Sequence, residues 1–126
     1  MATSLEINEL SDKLKVIADP KRLLILDLLM QGVQCNCELG GKLNMSPNLI
    51  SHHLNVLRQA GLIFTQRDTQ DARWIYYSIN QSAVHQMMNA LNGFFDVNRI
   101  QPRNPSCGPQ KEGTESCREK FTHVAE

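Results

Sequence analysis

The sequence predicts a mainly α (α+β) fold, a winged helix-turn-helix in the order α-α-α-α-β-β-α. Three observations carry that prediction. Apolar residues recur at helical spacing through the first half of the chain. A cap-then-proline signature, Ser46-Pro47, opens a helix only two residues after the preceding helical pattern ends at Leu43. Two short β-rich runs then flank a polar stretch, residues 68–72, ahead of a last amphipathic segment.

Taken in order, Ile7, Leu10, Leu14 and Ile17 lie at i, i+3, i+7 and i+10, one face of a first helix over residues 5–17. Asp19-Pro20 supplies an N-cap followed by proline at the first helical position, and the apolar run from Leu23 to Met30 makes a second helix that stops by Gly32. A short third helix is expected over 37–43, its end blurred by Gly40 and Gly41, since each glycine costs about 1 kcal/mol in a helix interior. Asn44-Met45 is a tight connection of the kind that joins the two helices of a helix-turn-helix. The fourth helix starts at Ser46 and ends at Gly61, which suits the C′ position. Strands over 62–67 and 74–79 follow, the second rich in Trp74, Tyr76 and Tyr77. Asn80 caps a fifth helix whose stripe is Val84, Met87, Met88, Leu91, Phe94 and Phe95. Residues 1–96 are read as one domain. Residues 97–126 carry Pro102, Pro105, Pro109, Gly108 and Gly113 with few apolar groups, and read as a flexible tail holding two cysteines.

Bulk properties narrow the function classes. The 126 residues suit one core, and no apolar run approaches the roughly 20 residues of a membrane span. Residues 1–6 lack a basic flank and a hydrophobic segment, so no secretory signal is expected. A cytoplasmic setting follows, where thiols serve as ligands or sensors more often than as disulfides. Thirteen Lys and Arg balance thirteen Asp and Glu. A nucleic-acid-binding domain is usually basic, so any DNA contact must come from local arrangement. Between residues 46 and 77 the cations are Arg58, Arg67 and Arg73, against Asp68 and Asp71. No carboxylate pair, nucleophile with its base, or glycine-rich phosphate loop is present, so an enzyme is not expected.

Two constellations carry chemistry. On the fourth helix, Ile50, Leu54 and Leu57 share a core-facing side, which leaves Asn48, Ser51, His52 and Asn55 outward and Ser46 at the N-terminus. Such short polar groups reach phosphates or base edges in a major groove, and the helix N-terminus itself favours a phosphate. His53 lies nearer the core side, where it either joins this set or satisfies a buried hydrogen bond. Arg58 follows on the same helix, and Arg67 and Arg73 flank the hairpin turn, placed to lay cations along the adjacent backbone. The competing reading is a solvated amphipathic helix beside an exposed hairpin.

The second constellation is Cys35-Asn36-Cys37, set directly ahead of the first helix of that motif. A helix N-terminus favours the thiolate, and thiolates select thiophilic ions such as zinc, cadmium, lead and arsenite. Polar neighbours (Gln34, Asn36 and Glu38) set this pair apart from ordinary packing cysteines. Two sulfurs leave a site incomplete. Cys107 and Cys117, with nine residues between them in the tail, are the candidates to close it. Three sulfurs suit trivalent arsenic or antimony, whereas four make a tetrahedral zinc or cadmium site. A thiol redox switch pairing Cys35 or Cys37 with a tail cysteine is a further reading. It would be a long-range disulfide, because a Cys-x-Cys bridge is strained.

Several stretches resemble the ArsR/SmtB family of metal-responsive transcriptional repressors, over about residues 10–95. Leu14-Lys15-Val16-Ile17-Ala18-Asp19-Pro20-Lys21-Arg22-Leu23 is similar to the start of the family's second helix, and Val33-Gln34-Cys35-Asn36-Cys37-Glu38-Leu39 to its third-helix metal box. Ser46-Pro47 through Ser51-His52-His53-Leu54, with Leu57-Arg58-Gln59-Ala60-Gly61-Leu62, resembles its recognition helix, and Arg73-Trp74-Ile75-Tyr76-Tyr77 its second wing strand. The resemblance implies a homodimer through the first and last helices that binds an inverted repeat in double-stranded operator DNA and leaves it when metal binds. It implies Cys35 and Cys37 as ligands of the arsenic type, with arsenite or antimonite as inducer and cadmium, lead or zinc as the alternatives. The family's third cysteine falls three positions after the second, where this chain has Gly40. Cys107 or Cys117 is expected to replace it. The family's other site, on the last helix, uses paired carboxylates and histidines, for which this helix offers only His85 and Asp96.

Overall fold

A computed structural model describes residues 4–103 and 106–108. Its elements are α1 (Ser4–Ile17), α2 (Pro20–Met30), β1 (Gln34–Cys35), α3 (Asn36–Leu43), α4 (Pro47–Gln59), β2 (Ile63–Arg67), β3 (Ile75–Ile79) and α5 (Gln81–Phe94). The winged helix-turn-helix is there, with one strand more than the predicted order. β1 pairs antiparallel with β3, Gln34 opposite Tyr77 and Cys35 opposite Tyr76, so the sheet runs β1-β3-β2. Two residues are too few to show a strand's alternation, and the partner that makes them a strand lies far along the chain.

The helix boundaries follow from their caps. The Asp19 carboxylate accepts from the backbone N–H of Lys21 at 2.8 Å and of Arg22 at 3.4 Å, and Pro20 fills the first helical position. The Ser46 hydroxyl accepts from Leu49 N–H at 3.2 Å ahead of Pro47. Asn80 Oδ1 accepts from Ala83 N–H at 3.2 Å, and its Nδ2 donates to the Gly61 carbonyl at 2.8 Å, tying α5 to the end of α4. At that end Gly61 takes φ +78°, and Leu62 N–H returns to the Leu57 carbonyl at 3.1 Å. Only glycine adopts this left-handed turn freely.

Ile25, Leu29, Leu39, Ile50, Leu54, Leu57, Leu62 and Ile63 form the buried core, joining α2, α3, α4 and the start of β2. Each such side chain contributes roughly 1.5–3 kcal/mol on burial. Leu39 is fully buried, which anchors α3 in spite of its two glycines, and Asn44 closes that helix in the left-handed conformation at φ 52°. α1 and α5 pack on one another at the periphery and bury no residue completely. No helix among the described residues is long and apolar enough to cross a membrane.

The chain divides after Phe94 into two units, and the second is described by itself. Asp96 caps a single 3-10 turn, Val97–Arg99, by accepting from Asn98 N–H at 2.9 Å, and the Arg103 guanidinium donates to the Cys107 carbonyl.

Candidate functional site

On α4, burial of Ile50, Leu54 and Leu57 turns the opposite side of the helix outward. Ser46, Asn48, Ser51, His52, Asn55 and Arg58 are all exposed there. Arg58 Nη2 donates to Asn55 Oδ1 at 2.9 Å, so the outer face already carries one internal pair. His53 lies on the other side, only 5 % exposed, with Nδ1 3.2 Å from Arg22 Nη1. Its seat matches the second of its two sequence readings, a satisfied buried histidine.

The wing turn is organised by Asp68. Its Oδ2 accepts from Gln70 N–H at 3.1 Å and Asp71 N–H at 2.9 Å, while its own N–H donates to the Trp74 carbonyl at 2.9 Å. Arg67 ends β2 and Arg73 lies in the turn two residues ahead of β3, and the two are in different electrostatic states. Arg67 Nη1 donates to the Ala72 carbonyl at 2.8 Å, a neutral acceptor that leaves the cation uncompensated there. Arg73 is held by Asp71 in a two-pronged pair, Nε to Oδ1 at 3.0 Å and Nη2 to Oδ2 at 2.8 Å. Side-chain and backbone hydrogen bonds from Arg73 keep the Asp71 carboxyl below its ordinary range, and Asp71 raises Arg73 in turn. Sequence reasoning counted both charges and missed this pairing, although two residues of separation was its only visible sign.

The thiols sit where the reading motif meets the sheet. Cys35 is the N-cap of α3 and a member of β1, and is buried, whereas Cys37 in the first turn of α3 is exposed. The Cys35 N–H donates to Glu38 Oε1 at 2.9 Å. Together with the Cys35 thiol, that bond holds the Glu38 carboxyl below its usual range. Across the sheet, Tyr76 stands opposite Cys35. Burial, then the charges of Asp68 and Cys35, push the Tyr76 hydroxyl up. Cys35 is thus joined on one side to the start of α3 and on the other to the wing.

Among the described residues, no group of three or more His, Cys, Asp or Glu side chains gathers as a metal site. Cys107 is half-buried within the second unit, and Cys117 lies outside the described residues. At Gly40 a Cβ would sit 3.9 Å from Ile50 Cδ1, an ordinary contact.

Residues 19–64, from the α2 cap to the start of β2, match the family described as bacterial regulatory protein, arsR family. Over 105 residues the chain is 32 % identical to the arsenical resistance operon repressor of Staphylococcus xylosus, covering 83 % of this chain and 94 % of that protein. The chain belongs to the ArsR family. A second relative, the transcriptional repressor SdpR of Bacillus subtilis, is 42 % identical over 82 residues, 62 % of this chain and 88 % of that one. Among solved structures, NolR from Sinorhizobium fredii superposes with a TM-score of 0.59 at 33 % identity, over 75 % of this chain and 95 % of NolR. Family and fold make the protein a DNA-binding transcriptional regulator and not an enzyme. ArsR membership also gives the thiol pair a context, since regulators of this family respond to metal and metalloid inducers.

Proposed function

We propose that the protein is a metalloid-responsive repressor. It binds operator DNA as a homodimer and is released when trivalent arsenic or antimony is held by Cys35, Cys37 and a third thiolate, from Cys107 or Cys117. The observation that carries this is the position of Cys35, at once N-cap of α3, register partner of Tyr76 in the wing strand, and near neighbour of the exposed Cys37. The donor set suits a soft ion and leaves it one sulfur short within the described winged-helix unit. The named function of the Staphylococcus xylosus relative supports the same ligand class.

On DNA, Ser46, Asn48, Ser51, His52 and Asn55 meet base edges and nearby phosphates, while Arg58 and Arg67 serve the backbone and Arg73, paired with Asp71, stands beside it as a cation held in reserve. Engaging one buried and one exposed thiol at a single ion draws the start of α3 away from its present cap. That disturbance reaches α4 through the Asn44-Met45 turn and reaches the wing through β1 and β3. A coupling of about 1–3 kcal/mol lowers DNA affinity about 5–150-fold, and DNA must weaken inducer binding by the same factor. Dimerisation gives the apolar faces of α1 and α5 their cover, since Leu5, Ile7, Met88 and Phe94 are exposed in the single chain. The reducing cytoplasm is the compartment this chemistry needs.

The test is fluorescence anisotropy of a labelled duplex from upstream of the protein's own coding region, titrated in turn with arsenite, antimonite, cadmium, lead and zinc. Release by the trivalent ions is expected, with X-ray absorption finding three sulfur neighbours around arsenic. Release by a divalent ion alone, with four sulfur neighbours, would replace the arsenic assignment with a cadmium, lead or zinc one.

A further inference from the structure

The buried histidine of α4 belongs to neither the outer face nor the thiol pair. Its partner Arg22 has only 16 % of its side chain exposed and makes three contacts. Nε donates to the Val16 carbonyl at 2.6 Å, Nη1 lies 3.2 Å from His53 Nδ1, and Nη1 lies 4.0 Å from Asp19 Oδ2. One guanidinium therefore joins the last turn of α1, the cap of α2 and the middle of α4. Arginine carries donors only, so the bond to His53 requires a lone pair on Nδ1 and places the imidazole proton on Nε2. A protonated ring has no acceptor to offer, and it would set a second cation against Arg22 in a nearly dry position.

We propose that His53 is a proton-sensitive clamp on the reading helix: neutral, it accepts Arg22 and seats α4 for DNA; protonated, it loosens α4 and weakens operator binding. The groups that face it are Asp19, Arg22 and Lys21 from the start of α2 and His52 from its own helix. Burial acts most strongly against the charged ring, Arg22, His52 and Lys21 act in the same direction, and Asp19 alone opposes them. The Asp19 carboxylate is already engaged by two backbone N–H groups, and the net balance holds His53 below 6.5. The sign follows from linkage. A histidine depressed in the folded state is protonated first in the unfolded one, so its stabilisation is complete above pH 6.5 and is lost as pH falls through the folded midpoint.

That sign separates a clamp from a contact. A histidine on a phosphate binds DNA better when charged, and DNA raises its midpoint. A clamp binds DNA better when neutral, and DNA lowers its midpoint. The inference rests on α4 as the DNA-reading helix. The experiment follows the His53 ring proton by NMR from about pH 7.5 to about 5.5, free and bound to an operator duplex, alongside anisotropy over the same range. The expected result is a midpoint lowered by DNA, with each unit of displacement appearing as about a tenfold loss of affinity on the acid side. His53→Asn, which keeps an acceptor near the Nδ1 position and cannot titrate, should remove the acid sensitivity, whereas His52→Gln should retain it. A midpoint raised by DNA, tighter binding in acid, or an undiminished acid loss in His53→Asn would overturn the clamp. The wild-type titration decides the sign even if a variant fails to fold. Absence of binding at every pH would instead overturn the reading of α4, and the clamp with it.

Discussion

Replacing Asp71 by Asn tests how the wing meets DNA. In the structure Arg73 gives two hydrogen bonds to the Asp71 carboxylate, at 3.0 and 2.8 Å, while Arg67 gives its bond to a carbonyl. The Arg73 side chain is 88 % exposed, so it is sterically available but electrostatically occupied. Counterion release gives a slope of about −0.9 in log affinity against log salt for each phosphate neutralised. Arg73→Ala alone should then change the slope little, because Arg73 is held by Asp71 and neutralises no phosphate. Arg67→Ala should flatten the slope by about 0.9 per protomer. Asp71→Asn should release Arg73, tighten binding at low salt and steepen the slope by about the same amount. Anisotropy on one operator duplex across a salt series reads all three variants. Equal losses for Arg67→Ala and Arg73→Ala, with no gain from Asp71→Asn, would show that Arg73 exchanges its carboxylate for phosphate without cost and would refute the reasoning.

Three further outcomes are expected. Gly40→Cys adds a third thiol to the Cys35–Cys37 pair, at a place where a Cβ meets Ile50 Cδ1 at an ordinary 3.9 Å; arsenite affinity should rise and become independent of Cys107 and Cys117, as isothermal titration of the tail-cysteine variants would reveal. Met88→Glu puts a charge on the exposed face of α5 and should shift sedimentation equilibrium toward the monomer; an unchanged dimer would move the interface elsewhere. Leu57→Ala empties a fully buried core position beneath the reading helix and should cost about 2–5 kcal/mol in urea unfolding, with a loss under 1 kcal/mol contradicting the assigned core.

The parts of this fold that were legible in the sequence are those set by local chemistry. Asp19-Pro20, Ser46-Pro47 and Asn80 each cap the helix that their residue types announce, and Gly61 takes the positive φ that its position demands. The misses are long-range. β1 exists because Gln34 and Cys35 meet β3, and no signal within two residues reveals that pairing. Strand ends shifted by one residue for the same reason, since Leu62 N–H closes the α4 terminus and the Trp74 carbonyl serves the turn. The outward set on α4 could be read from periodicity, but Arg22 as partner of His53 could not. Nor could Lys13, which donates to the Ala60 carbonyl and ties α1 to the end of α4. For the thiols, the sequence indicated the pair, while the division of Cys35 into the sheet and Cys37 onto the surface depends on β1. The tail expectation for Cys117 lies outside the described residues.

The central claim is that sulfur chemistry at the start of α3 governs the grip of α4 and the wing on DNA. Its most direct measurement titrates arsenite into operator complexes of the wild-type protein and of Cys37→Ser, read by anisotropy. The wild type should release its duplex while Cys37→Ser, with unchanged starting affinity, stays bound. Release of both at the same arsenite level, or of neither, would contradict it.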